Sequence, residues 1–147
     1  MLKKLLLAEI GFILVIELVG ATSSAASVFL LHRVDPKFGT AWDNFSFGMQ
    51  LLQVVVAGSA IGFTVPLVLA RRFLPRLSAT RVLALGAVGG VLVQLIHLTD
   101  VPASVDRLFG ISGIASVAFL TVLPGSVAAI ACLLAAMARW RPIDGVA

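Results

Sequence analysis

Apolar residues fall in four long runs, at about residues 5–31, 47–70, 82–98 and 111–138, separated by short polar stretches. A helix needs ~18–20 apolar residues to cross a bilayer, and each run is near or above that length. The apolar positions are continuous rather than alternating, which predicts helices and not the strands of a barrel. Only those two architectures satisfy their backbone polar groups in lipid. The breaks carry turn and stop chemistry. Arg33, Asp35, Pro36 and Gly39 end the first run, Arg71, Arg72 and Pro75 the second, and Thr99, Asp100 and Pro102 the third. Trp42, Phe45 and Phe47 fit one water–lipid boundary and Trp140 the other. A short interfacial helix is expected at Ser104 to Gly110, with Val105, Leu108 and Phe109 on one side.

Connections this short predict an all-α, up-down-up-down bundle of four transmembrane helices with sequential neighbours in contact. None is long enough to fold as a second domain. The expectation is therefore one polytopic transmembrane domain over residues 1–147. Lys3 and Lys4, with the small residues Ala21 to Ser27, give the first run some features of a secretory signal. Glu9 and Glu17 interrupt that pattern, and the run is long enough to span, so it is read as a retained helix.

Composition removes the soluble alternative. The chain is 60% hydrophobic with a mean hydropathy of +1.10, against ~45–50% apolar residues in soluble domains. Net charge is +4. The placement of charge explains that excess better than nucleic-acid binding does. Lys3, Lys4, Arg71, Arg72, Arg76, Arg81, Arg139 and Arg141 lie at the termini and in the second connection. Arg33, Lys37 and Arg107 lie in the first and third connections. The positive-inside rule then predicts an inner (plasma) membrane protein with both termini cytoplasmic. Cys132, the single cysteine, excludes an internal disulfide and reads as a small packing residue.

Each span carries small or polar residues on one side. In the first, Glu9, Glu17, Gly20, Ser24 and Ser27 fall within about an 80° arc at ~100° per residue. Gly58 and Gly62 form a GxxxG pair in the second span, where Gln50, Gln53 and Thr64 share another face. Gly86 and Gly90 form a second pair, continued by Gln94 and His97. Such stripes predict close helix packing. Glu17 is the most informative residue, because it lies near the midpoint of its span and no span contains lysine or arginine. An ionised carboxylate there costs several kcal/mol. The neutral acid form, or a polar partner such as Gln53, Gln94 or Ser126, would answer that cost. Pro124 and Gly125 predict a kink in the fourth helix at nearly the depth of Glu17. His32 and His97, both expected at the outer boundary, are weak candidates for a metal or haem ligand pair.

Four spans with a mid-membrane glutamate in the first resemble, in outline, the small multidrug-resistance transporters. This chain has no tyrosine and longer connections, so no residue role is carried across. No nucleophile–base pair sits in a connection, so no enzyme is expected. The function predicted is a non-enzymatic accessory, assembly or scaffolding subunit without a cofactor. Its expected partners are the lipid bilayer and a second copy or another membrane protein. The alternatives are a small proton-coupled transporter using Glu17 and a haem-binding redox subunit using His32 and His97.

Overall fold

A computed structural model describes residues 1–34, 40–99, 110 and 114–138; for residues 32, 34, 114–118 and 120 it describes the backbone alone. The interfacial helix expected at Ser104 to Gly110, Trp140, and the basic residues Lys37, Arg107, Arg139 and Arg141 lie outside the described residues. The protein is all-helical among them. It has α1 (Leu2–Val34), α2 (Ala41–Leu69), a single 3-10 turn (Leu74–Arg76), α3 (Ala79–Leu98) and α4 (Ile114–Ala138). All four long helices are apolar and long enough to cross a membrane.

Helix α2 begins six residues before the apolar run does, because a cap sets its start. Thr40 is extended, and its hydroxyl oxygen accepts the Asp43 backbone N–H at 3.2 Å. The same hydroxyl donates to the Asp43 carboxylate. The hydroxyl thereby satisfies one of the backbone donors that a helix start leaves open. The segment with Trp42 and Phe45 is thereby helical rather than a separate interfacial strand of chain. Ser78 does the same for α3, accepting from the Arg81 backbone N–H at 3.4 Å.

The order of neighbours differs from the sequential expectation. Helices α1 and α3 pack side by side, as do α2 and α4, α1 and α2, and α3 and α4. Helices α2 and α3, though consecutive, stand on a diagonal. The α1–α3 pair runs parallel: Gly86 abuts the Ala8 carbonyl and Gly90 the Phe12 carbonyl, so a step of four on one helix is a step of four on the other. The α2–α4 pair is also parallel, with Gly58 beside Thr121 and Gly62 beside Ser126. Small residues explain the rearrangement. Lipid is as apolar as leucine, so helices associate where backbones can come closest, and residues 70–78 are enough chain to cross the diagonal. A Cβ on Gly90 would lie 2.7 Å from the Phe12 carbonyl oxygen, and one on Gly11 would lie 2.6 Å from that of Leu83.

Phe12 and Phe63 fill the centre of the bundle. Both are fully buried and their rings stack with centroids 4.3 Å apart. Phe63 also reaches across the diagonal to Gly89, where no side chain blocks it. At the basic end, Lys4 donates to the carbonyls of Leu74 (3.1 Å), Pro75 (2.8 Å) and Leu77. The start of α1 thus holds the connection between α2 and α3 through one ammonium group.

Candidate functional site

The polar groups of the spans separate into two sets with different surroundings. One lies in the seam between α1 and α2, which run antiparallel. Gln53 Nε2 donates to Glu17 Oε1 at 2.9 Å. Nearer the basic end, the Thr64 hydroxyl reaches both the Glu9 carboxylate and, at 2.7 Å, the Ala60 carbonyl. It has one hydrogen, so it serves one of these acceptors at a time. Glu9 thus meets Thr64 across the seam. Gln94, on α3, donates to the Ile16 carbonyl at 3.3 Å and is buried, with its amide against Gly20. It therefore sits at the level of Glu17 but bonds to the backbone next to it.

The seam faces outward at its centre. Glu17 is half-buried, while Gln53 and Gln50 are exposed on the outer side of the bundle. Glu17 is at the middle of α1 and Gln53 is close to the middle of α2. A carboxyl–amide pair thus lies on the surface at the depth where lipid is driest. Exposed apolar side chains, Leu14, Leu18, Leu51 and Val54, lie close to it along the two helices.

The second set lies between α2 and α4, and one of its members answers a proline. Pro66 has no N–H, so the Gly62 carbonyl loses its helical donor. The Ser126 hydroxyl supplies one across the interface at 3.0 Å. Ser126 also lies 3.1 Å from the Val122 carbonyl of its own helix. Pro124 likewise frees the carbonyl at position 120. At the next carbonyl, that of Thr121, the buried Ser59 hydroxyl donates at 3.0 Å. Ser126, Pro124 and Gly125 therefore belong to the α2–α4 contact, roughly two helical turns from the level of Glu17. They do not join Glu17 in one polar site. The sequence shows that Pro66 stands four residues after Gly62 and so frees its carbonyl, but not which side chain answers it.

The packing glycines lie at helix contacts. Gly58 meets Thr121, Gly62 meets Val122, Gly86 and Gly90 meet α1, and Gly20 meets Leu52 and Gln94. His97 is half-buried one turn beyond Gln94. Its Nε2 is enclosed, with no hydrogen-bond partner among the described residues. The side chain of His32 lies outside the described residues. Among the described residues, no three His, Cys, Asp or Glu side chains form a group able to hold a metal ion.

Fold and site together define a multi-pass membrane protein whose polar groups cluster at helix–helix contacts. The chain matches no family model, no curated protein and no solved structure.

Proposed function

We propose that this protein is an assembly or scaffolding subunit that binds another membrane-embedded helix along its α1–α2 seam. The observation that carries the reading is the exposed Glu17–Gln53 pair at mid-bilayer. Polar side chains facing hydrocarbon are costly, and in membrane proteins they turn toward protein or a wet cavity. A helix laid over the seam removes Gln53 from lipid and brings further partners to the carboxyl group. The partner is a second copy of this chain or a different membrane protein with a small or polar stripe at the same depth. The proposed topology places both termini and the Lys4-bound connection in the cytoplasm, following the basic residues.

Association in native membranes, read by cross-linking through a cysteine at Gln50 in a Cys132→Ala background, tests the reading. A discrete adduct that disappears with Glu17→Leu is expected. An adduct pattern unchanged by Glu17→Leu would overturn it. The same Glu17–Gln53 geometry favours a second reading, a proton-coupled carrier, because the carboxyl group is reached from the bundle surface. Glu17→Gln separates the two: it preserves association in a scaffold and abolishes proton-driven uptake into liposomes in a carrier.

A further inference from the structure

A groove of about 390 Å³ runs between the first turns of α3 and the last turns of α4. It is on the far side of the bundle from the α1–α2 seam. Small side chains leave it open: Ala84 lines it from α3, and Ala135 and Ala136 from α4. Arg76 and Arg81 stand at its basic end, and Cys132 and Val88 line its deeper part. Arg81 is in the first turn of α3, and Val88 is about two turns further along, roughly 10 Å toward the bilayer centre. The lining therefore changes from cationic to apolar along the membrane normal.

We infer that this groove binds one anionic phospholipid, with the phosphate at Arg76 and Arg81 and an acyl chain along the apolar trough. The order of groups in the groove is the order of groups in a lipid: charge at the boundary, hydrocarbon below. Guanidinium groups match phosphate oxygens in bidentate geometry, and basic pockets between helices suit anionic headgroups. A free phosphate ion makes no use of the trough. A zwitterionic lipid fills the trough but brings no net charge to the two arginines. Arg71 and Arg72 belong to the same connection but do not line the groove, so they supply an internal control for diffuse attraction.

Native mass spectrometry of the purified, delipidated protein titrated with phosphatidylglycerol or phosphatidylcholine tests this. One phosphatidylglycerol should be retained with about a tenfold preference, equivalent to about 1.4 kcal/mol. Arg76→Gln with Arg81→Gln should abolish the preference, and Arg71→Gln with Arg72→Gln should leave it. Ala135→Leu keeps both charges but fills the trough, and it should also lose the adduct. Millimolar inorganic phosphate should not displace the lipid. Equal retention of both lipids would overturn the proposal, as would equal loss on removing Arg71 and Arg72. So would an adduct unaffected by Ala135→Leu, or one displaced by phosphate.

Discussion

The α1–α3 contact and the α1–α2 seam share a helix but are built on opposite principles. In the first, Gly86 and Gly90 let α3 rest directly on the α1 backbone at Ala8 and Phe12. Gln94 adds one hydrogen bond to the Ile16 carbonyl, and close backbone packing holds the rest of the pair. In the second, the contacts are side chain to side chain, Glu17 with Gln53 and Glu9 with Thr64. That seam is incompletely covered, because Gln53 and Gln50 remain exposed. The difference teaches where stability and recognition reside. Close backbone packing fixes the bundle, and the polar seam is the surface left for something else to complete.

The contrast is broken most severely at the glycines. Gly86→Ile should destabilise the protein in detergent by at least about 2 kcal/mol, because a branched side chain must push α1 and α3 apart. Gly90→Ile should do the same, whereas Val91→Ile, on an exposed position, should be nearly silent in a thermal melt. Equal tolerance at Gly90 and Val91 would remove the basis of the comparison.

A second effect, about 1–2 kcal/mol, is expected for Ser126→Ala, which leaves the Gly62 carbonyl without its donor. The cause can be isolated. Pro66→Ala restores a backbone N–H to that carbonyl, so Ser126→Ala should have little effect in a Pro66→Ala background. A double-mutant cycle measured by denaturation reads this coupling. Purely additive effects would mean that the serine does not act on the proline-freed carbonyl. Lys4→Met should be milder, about 1 kcal/mol, since water can replace the ammonium at an exposed connection. Faster proteolysis between Arg71 and Ser78 is its expected signature.

The smallest effect on the isolated bundle is expected at Glu17. Glu17→Leu breaks one exposed hydrogen bond and removes a polar group from the surface, so monomer stability should change by less than about 1 kcal/mol. Its consequence should appear instead as lost association. A large loss of monomer stability would assign Glu17 to the interior of the bundle.

Much of the fold is legible in the sequence because membrane spans are written in length and apolarity. The helices follow the four apolar runs, extended by residues that apolarity does not mark. Thr40 and Asp43 draw the start of α2 back by capping, and Ser78 sets the start of α3. Neighbour order was not legible. Short connections suggest that consecutive helices touch, yet the glycines of α3 bring it onto α1 instead of α2. The pairing of Glu17 with Gln53 was within reach of the sequence, since both lie at mid-span. The placement of Ser126 was not, because depth on one helix converts to depth on another only through the interhelical register. At the α2–α4 contact that register brings Ser126 beside the carbonyl that Pro66 leaves open.

The central claim is that the α1–α2 seam is covered by protein in the native membrane. It is tested most directly by attaching a fluorophore at an Ala57→Cys variant in a Cys132→Ala background. Ala57 is exposed on the outer face of α2, one turn from Gln53. Lipids carrying a quencher at mid-chain should quench it strongly in diluted, detergent-reconstituted monomers and weakly in native membranes. Glu17→Leu should restore strong quenching there. Equally strong quenching in native membranes and in reconstituted monomers would show that lipid covers the seam, and would contradict the account.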